Sequence, residues 1–261
     1  MKLLSGRDIA LFIKERHALT VAGLSVPPKL AIIRSADNEA AERYLRAKSA
    51  YGHDIGAQVD TYVESAGTML DRIAALNADP SVTGIIIQLP VTTPELTDAA
   101  LAAVAPAKDV DGLGPNSPYE AGTPKAVLWL LAAHNVDIAG RIAVVGQGRL
   151  IGRPLADRLE AAGHHVTRCD IHTPDVGAVT RASHMVFSAT GQPHLIKSQM
   201  IMPGTVCVDA GSPAPEFDPA VYQRDDVIIT PNPGGVGPMT VVSLFDNLLI
   251  AAQQAAAQPR R

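Results

Sequence analysis

One stretch decides the fold of this chain: Arg141-Ile-Ala-Val-Val-Gly-Gln-Gly-Arg-Leu-Ile-Gly-Arg-Pro154. Residues 142–145 form a short, mostly β-branched run, long enough for one buried parallel strand, and a helical pattern resumes after Gly146, Gly148 and Gly152. Glycines in a strand–turn–helix unit let the backbone approach a pyrophosphate closely, and the N-terminus of the helix favours its negative charge. A purely structural turn is the alternative interpretation of the same glycines.

The next predicted strand runs from His165 to Cys169 and ends in Asp170, 22 residues after Gly148. Dinucleotide-binding units place the carboxylate that holds the ribose at about this distance from their glycines. Because the strand, the helix and the acid follow one another at the spacing of such a unit, the sequence predicts a dinucleotide site rather than a plain turn.

Bulk composition excludes several classes of function. The chain has 261 residues, enough for one or two domains, and only 4% of them are aromatic, which argues against base stacking as a mode of recognition. Its net charge of −4 offers no basic surface for nucleic acid. The sequence shows no apolar run of the roughly 20 residues that a membrane span needs, and its N-terminus meets charge too early for a secretory signal. We therefore expect a cytoplasmic protein with no nucleic-acid or membrane partner.

Cysteine and histidine usage gives no sign of a metal site. Cys169 and Cys207 each lie in a strand-like run, which predicts buried thiols in a reducing compartment. The eight histidines are scattered along the chain. We expect no bound metal.

The order of elements predicts an α/β fold with two domains. Strands at 29–34, 57–63 and 83–87 alternate with helices from Asn38 to about 51, from 68 to 77 and from 94 to 104, a rhythm typical of a parallel sheet. Further strands are predicted near 142–145, 165–169, 184–188, 205–208 and 227–230. The predicted boundaries are residues 1–120 with the C-terminal helix 239–261 for one domain, and 121–238 for a Rossmann-type domain.

Pro231-Asn-Pro-Gly-Gly-Val-Gly-Pro238 is predicted to be neither helix nor central strand because of its prolines and glycines. Such a stiff loop, nearly without side chains, suits a place where a ligand must approach the backbone. A plain crossing between domains is the alternative. A long helix is predicted from Thr240 onward.

Tyr44 and Lys48 stand four residues apart on a predicted helix, so both project from one face. Taken alone, this pair is better explained as part of a solvated amphipathic helix. A Tyr-x-x-x-Lys pair is also found in short-chain dehydrogenases, but there it follows the glycine turn, whereas here it precedes it. That order argues against the short-chain family.

Two further polar positions are candidates for chemistry. Gln88 ends an apolar strand at its carboxyl edge, where open α/β sheets bind ligands, and it either ties down a loop or orients a partner. Lys108-Asp-Val-Asp-Gly112 places two carboxylates beside a glycine, for which an ordinary turn is the competing interpretation.

Together these stretches resemble one family closely, the bifunctional methylenetetrahydrofolate dehydrogenase/methenyltetrahydrofolate cyclohydrolases. The order and spacing of the motifs hold over nearly the whole chain. The matching pieces are Tyr44-Leu-Arg-Ala-Lys48, Gly84-Ile-Ile-Ile-Gln-Leu-Pro90, Lys108-Asp-Val-Asp-Gly112, Thr123-Pro124-Lys125, Val144-Val145-Gly146 with Gly152-Arg153-Pro154, and Pro233-Gly-Gly-Val-Gly-Pro-Met-Thr240.

The resemblance implies a role for each matching residue. Lys48 would be the catalytic lysine, Gln88 the amide that holds it, Tyr44 the ring that stacks on folate, and Asp111 the anchor of the pterin. It also implies a cleft between the two domains, shared by folate and nicotinamide. The further substrate-binding residues would be Leu89, Pro90, Gly234, Gly235 and Pro238. The cofactor-binding residues would be Gly146, Gln147, Gly148, Arg149, Ile151, Gly152, Asp170, Ala189, Thr190, Gly191 and Thr240.

Departures from the family pattern fall mostly on the cofactor. The family usually has Arg-Ser after the first glycine, where this chain has Gln147-Gly148, and His-Ser at the end of the second strand, where it has Asp170-Ile171. These changes remove partners for a 2′-phosphate and add a carboxylate, so we expect NAD to be preferred over NADP. The opposing interpretation is that a nearby cation neutralises the phosphate. The candidates are Arg149, Arg153, Arg168 and His172.

Three hypotheses follow. The first is a bifunctional enzyme of one-carbon metabolism and purine biosynthesis that oxidises 5,10-methylenetetrahydrofolate with NAD or NADP and hydrolyses the methenyl product to 10-formyltetrahydrofolate. The second is an NAD-dependent dehydrogenase alone, and the third a non-catalytic relative that binds a dinucleotide or folate. The intact Lys48, Gln88 and Asp111 argue against the third. By the resemblance the protein would be a homodimer.

Overall fold

The structure is a computed structural model that describes residues 2–35 and 39–257, without the side chains of residues 39–41 and 43. The predicted helix start at Asn38 and the last four residues of the predicted C-terminal helix lie outside the described residues. The elements in chain order are β1 (Lys2–Leu3), α1 (Arg7–Ala22), β2 (Lys29–Arg34), α2 (Glu39–Ile55), β3 (Gln58–Val63), α3 (Met69–Ala78), β4 (Gly84–Gln88), α4 (Thr97–Ala103), α5 (Gly122–Ala133), β5 (Arg141–Val145), α6 (Gly152–Ala161), β6 (His165–Cys169), α7 (Val176–Arg181), β7 (Met185–Ser188), β8 (Val206–Asp209), β9 (Ile228–Ile229) and α8 (Val236–Ala257).

The chain forms two compact units, each with its own parallel sheet. The six-stranded unit consists of Met1–Ala10 and Thr123–Thr240, and the three-stranded unit consists of Leu11–Gly122 and Val241–Arg261. The predicted α/β class with two parallel domains is confirmed.

The three-stranded unit has the strand order β3-β2-β4. Residues 30–33 of β2 and 84–87 of β4 are buried without a break, as expected for parallel strands covered on both faces. In the register of the pair, Arg34 lies opposite Gln88, so both side chains stand at the carboxyl edge of the sheet. The continuous apolar runs therefore bring Gln88 to the sheet edge where α/β proteins bind ligands.

The six-stranded unit has the strand order β1-β9-β8-β7-β5-β6, all parallel. The sequence predicted five of these six strands, β5 to β9. The sixth is β1, in which Lys2 pairs with Ile228 and Leu3 with Ile229. This pairing places residues up to Ala10 in the six-stranded unit, whereas the predicted boundaries assigned them to the other domain. A two-residue strand has no detectable period, so only its partner reveals it.

The start of α8 also differs from prediction. The helix begins at Val236, so Gly237 and Pro238 lie in its first turn and the prediction that no part of 231–238 is helical was wrong. A proline is tolerated there because the first N–H groups of a helix have no acceptor within it. By length and composition α8 could cross a bilayer, but 61% of its most apolar window is buried within the protein, as in a core helix.

Candidate functional site

Lys48 and Gln88 are in direct contact in the three-stranded unit. The ammonium Nζ of Lys48, on α2, donates a hydrogen bond of 2.9 Å to Oε1 of Gln88, at the end of β4. The amide Nε2 of Gln88 donates to the carbonyl of Leu89 at 3.2 Å, which fixes the amide with its oxygen toward the lysine. Gln88 therefore makes contacts of both kinds considered for it, one to the lysine and one to the backbone that follows β4.

The environment of Lys48 differs from that of a surface lysine. Tyr44 and Lys48 are half-buried one turn apart on α2, while the side chain of Arg46 on the same helix is 69% exposed. Burial lowers the pKa of Lys48 below its ordinary value, and the carboxylate of Asp111 opposes that shift. Lys48 is therefore partly exposed and at the same time bonded to Gln88, a contact that the helix pattern alone could not show.

Asp111 is the acidic partner of the same cluster. Burial raises its pKa, the charge of Lys48 lowers it, and the charge of Asp109 raises it again. Burial thus shifts the pKa of both groups against their charged forms, as at many functional sites, while the charge of each opposes the shift of the other. Lys48, Gln88 and Asp111 thus form one polar cluster at the carboxyl edge of the sheet.

The other residues of the Lys108–Gly112 motif hold Asp111 in place. Nζ of Lys108 donates to three carbonyls at the C-terminal end of α3, those of Leu76, Asn77 and Asp79, at 2.7–2.9 Å. The segment also forms a parallel bridge with β4, in which Asp109 lies opposite Ile85.

Two buried side chains complete that support. The carboxylate of Asp109 accepts a hydrogen bond from the N–H of Gly114 at 2.8 Å. Nδ2 of Asn247, on α8, donates to the carbonyls of Val110 and Glu120 at 2.9 Å. The ordinary turn considered as the alternative for Lys108–Gly112 is therefore present, and it places Asp111 at the sheet edge where β4 ends.

The glycine turn of the six-stranded unit leaves no room for side chains at two of its positions. A Cβ on Gly152 would lie 1.8 Å from the carbonyl oxygen of Gly146, and a Cβ on Gly146 would lie 2.3 Å from that of Ala189. A Cβ on Gly148, in contrast, would have no atom within 4 Å outside the adjoining residues. The turn leads directly into the N-terminus of α6, so its open side fits a pyrophosphate.

Asp170 lies beside this turn, because the N–H of Gly146 donates to the carbonyl of Cys169 at 2.8 Å. Its Oδ1 accepts from the N–H of His172 at 2.9 Å. Ile171 is 90% exposed, next to the carboxylate. The amide Nε2 of Gln147 donates to the carbonyls of Val144 and Gly146 at 3.0 and 3.2 Å, so this side chain is folded onto the end of β5.

Arg168 is not available for a phosphate in this arrangement. Its guanidinium donates to Glu160 and Asp157 at 2.5–2.9 Å, and these hydrogen bonds raise its pKa further. Arg149, Arg153 and His172 are exposed near the turn and Asp170. Arg168, one of the cations considered for neutralising a phosphate, is therefore committed to Glu160 and Asp157.

The remaining predicted cofactor and substrate residues of this unit lie in the loop after β7, in the proline–glycine loop and at the start of α8. Ala189, Thr190 and Gly191 follow β7, and the backbone N–H groups of Thr190 and Gly191 donate to the buried carboxylate of Glu216. Sequence reasoning missed Glu216, because an acidic residue between prolines gives no periodic or motif signal.

The proline–glycine loop precedes α8. The carbonyl of Gly234 accepts from the N–H of Gly6 at 2.9 Å, and a Cβ on Gly235 would lie 2.6 Å from the carbonyl of Pro231. The hydroxyl of Thr240 donates within α8 to the carbonyl of Val236 at 3.3 Å. Across residues 2–35 and 39–257, no three His, Cys, Asp or Glu side chains are grouped as metal ligands.

Comparison with known proteins links both units to one family. The family described as tetrahydrofolate dehydrogenase/cyclohydrolase matches twice, its catalytic domain over residues 4–111 and its NAD(P)-binding domain over residues 121–256. The bifunctional protein FolD of Thermus thermophilus is 36% identical over 271 residues, covering 96% of each chain.

Two solved structures agree with this assignment. The bifunctional FolD methylenetetrahydrofolate dehydrogenase/cyclohydrolase of Campylobacter jejuni superposes with a TM-score of 0.90 at 31% identity, over 97% of this chain and 99% of its own. The Trypanosoma brucei methylenetetrahydrofolate dehydrogenase-cyclohydrolase, solved with NADP and an inhibitor, gives a TM-score of 0.91 at 28% identity over 98% of each chain. With its lysine–glutamine–aspartate cluster and its glycine turn in the matching domains, this chain belongs to the tetrahydrofolate dehydrogenase/cyclohydrolase family.

Proposed function

We propose that this protein oxidises 5,10-methylenetetrahydrofolate to the 5,10-methenyl form and then hydrolyses that product to 10-formyltetrahydrofolate. The contact between Lys48 and Gln88, coupled to Asp111, carries the proposal within a chain of this family. The substrate is a folate, and the redox partner is a nicotinamide dinucleotide.

The first reaction transfers a hydride from the methylene carbon to the nicotinamide, which leaves the folate as the methenyl cation. The dinucleotide, when bound, supplies the hydride acceptor. The protein contributes positioning of the two rings. The cofactor would be held by the glycine turn at Gly146, Gly148 and Gly152, by Asp170, and by the loop Ala189–Gly191.

The second reaction adds water to the methenyl carbon and releases a proton. Lys48 can accept that proton at Nζ, because burial increases the share of its neutral form near neutral pH. The carbonyl oxygen of Gln88 holds the amine in place. Tyr44 orients the folate from the neighbouring turn of α2, and Asp111 accepts hydrogen bonds from the pterin. Leu89, Pro90, Gly234, Gly235 and Pro238 are assigned to substrate binding by their match to the family.

The two half-reactions separate this proposal from a dehydrogenase alone. Purified protein supplied with methenyltetrahydrofolate and no dinucleotide should hydrolyse it above the uncatalysed rate, followed by loss of methenyl absorbance. Supplied with methylenetetrahydrofolate and NAD or NADP, it should form reduced cofactor. Oxidation without hydrolysis would establish the monofunctional alternative, and binding without either reaction would establish the non-catalytic one.

We further propose that NAD is preferred over NADP. Asp170 is exposed at the end of β6, where it can accept a hydrogen bond from a free 2′-hydroxyl but repels a 2′-phosphate. The juxtaposition of like charges supports a preference for NAD on the order of 100-fold. Two features support this choice: Arg168 is engaged by Glu160 and Asp157, and Gln147 is folded onto β5.

Steady-state kinetics with both cofactors test the preference. The wild-type enzyme should have the higher kcat/KM with NAD, and the double variant Asp170→Ser, Gln147→Arg should shift it toward NADP. An Arg153→Ala variant tests the opposing interpretation, because it removes an exposed cation near the turn and keeps Asp170. If Arg153 neutralised the phosphate, this variant would lose efficiency with NADP but not with NAD. Higher wild-type efficiency with NADP would refute the role given to Asp170.

We also propose that the protein acts in the cytoplasm as a homodimer, in the one-carbon supply of purine biosynthesis. These assignments follow the family. Light scattering on the purified protein tests the oligomeric state: a dimer mass is expected, and a monomer mass at micromolar concentration would contradict it.

A further inference from the structure

Glu216 is a buried carboxylate without a role in the reactions described above. It is 1% exposed and lies in the connection between β8 and β9. Its oxygens accept hydrogen bonds from the hydroxyls of Ser188 and Thr190, and from the backbone N–H groups of Thr190 and Gly191 at 2.7–2.8 Å. All these donors are neutral and belong to one segment, so the carboxylate fixes the conformation of the loop that follows β7.

This loop packs directly on the glycine turn. A Cβ on Gly146, whose φ is +93°, would lie 2.3 Å from the carbonyl oxygen of Ala189 and 2.9 Å from the nitrogen of Thr190. The backbone of the loop thus forms one wall of the turn into which the pyrophosphate fits. Only a glycine allows the two backbones to approach this closely, so the conformation of the loop and the conformation of the turn depend on each other.

Asp209 holds Glu216 from the other side. Its carboxylate accepts from the N–H groups of Glu216 and Phe217 at 2.9 and 3.3 Å, and also from the hydroxyl of Tyr222. Nδ2 of Asn232, in the proline–glycine loop, donates to the same carboxylate at 3.3 Å. The position of Glu216 is therefore set by a second buried carboxylate rather than by solvent.

We infer that Glu216 is a positioning residue for the dinucleotide. It holds Ala189, Thr190 and Gly191 in the conformation that shapes the cofactor side of the glycine turn. Since Glu216 takes the N–H groups of Thr190 and Gly191, these two groups are not donors to the cofactor, and the loop contributes shape and carbonyl oxygens instead. This inference rests on the proposed function, which assigns these three residues to cofactor binding.

The experiment compares cofactor binding with hydrolysis in one variant. Glu216→Gln keeps the size of the side chain but turns an N–H₂ group toward donors, so about one charge-assisted hydrogen bond is lost. Titration calorimetry should show a dinucleotide Kd raised about tenfold or more. Hydrolysis of methenyltetrahydrofolate without dinucleotide should stay within about twofold of wild type, because Lys48 and Gln88 lie in the other unit.

Two matched variants complete the test. Asp218→Asn alters a carboxylate two residues away that binds Lys197 and the N–H of Ala220, and it should change neither quantity. Ser188→Ala removes a single donor to Glu216, and it should raise the Kd about threefold, which keeps the test available if Glu216→Gln does not fold.

An unchanged Kd in both Glu216→Gln and Ser188→Ala would overturn the inference, as would equal losses of binding and hydrolysis, which indicate general unfolding. A wild-type protein that binds neither NAD nor NADP would instead refute the proposed function, and this inference with it.

Discussion

Replacement of Lys48 by methionine separates catalysis from folding. Methionine is unbranched and nearly as long as lysine, so it fills the same space beside Gln88 without a charge or a donor. General acid–base catalysis contributes typically about 10²–10⁴-fold in rate, or roughly 3–5 kcal/mol of the barrier. We expect hydrolysis of methenyltetrahydrofolate to fall by at least about 100-fold in Lys48→Met.

Stability should change much less. The substitution leaves Oε1 of Gln88 without its donor, which costs about 1–3 kcal/mol, but it also removes an ammonium group that burial disfavours. The two effects oppose each other, so we expect the midpoint of thermal unfolding to move by only a few degrees, about the equivalent of 1 kcal/mol.

The assay follows methenyl absorbance without dinucleotide, beside calorimetry for NAD binding and a thermal melt. Arg46→Met is the matched control, since Arg46 lies on the same helix with an exposed side chain. Full hydrolytic activity in Lys48→Met would refute the role of Lys48. Loss of NAD binding together with hydrolysis would show that the variant is misfolded rather than inactive.

Three further predictions concern the two units. Burial lowers the pKa of Lys48 below its ordinary value of 10.5, so the charged lysine destabilises the folded protein fully at pH values below the lowered pKa. This destabilisation is relieved as the pH rises from the lowered pKa toward 10.5, so urea unfolding should show wild type gaining stability relative to Lys48→Met over that range. A loss of relative stability over the same range would contradict the argument. Asp111→Ala should weaken folate binding by at least tenfold, from the loss of charge-assisted hydrogen bonds of about 1.5–3 kcal/mol each, while equal loss of dinucleotide affinity by calorimetry would point to a structural role. Gly152→Ala places a Cβ 1.8 Å from the carbonyl oxygen of Gly146, so dinucleotide affinity should fall at least about tenfold while hydrolysis persists, and unchanged affinity would mean that the turn can open at little cost.

The parallel strands could be predicted because their physical signal is local. Strands β2, β4 and β5 are continuous apolar runs bounded by turns, which is the sequence pattern expected of a strand buried on both faces. The glycine turn was equally predictable, since Gly152 is required by its close contact with the backbone of Gly146 within the same short unit. Fold class and the position of Gln88 at a sheet edge followed from these runs.

The features that escaped prediction depend on contacts between distant parts of the chain. Strand β1 is defined only by its pairing with β9, more than 200 residues later. Glu216 acquires its role from a loop 25–28 residues before it. The burial of Lys48 depends on the end of β4, 40 residues away, and a helix pattern alone describes its face as solvated. Such residues carry no periodic signal, because their surroundings are assembled by the fold.

Product stoichiometry in one reaction tests the central claim most directly. Purified protein would be given 5,10-methylenetetrahydrofolate and NAD at a pH where methenyltetrahydrofolate hydrolyses slowly by itself. Reduced cofactor would be measured by absorbance and 10-formyltetrahydrofolate by chromatography over the same interval. A bifunctional enzyme should yield the two products in equal amounts with little methenyl accumulation, and Lys48→Met should lose the 10-formyl product. Reduced cofactor accompanied only by accumulating methenyltetrahydrofolate in the wild type would contradict the account.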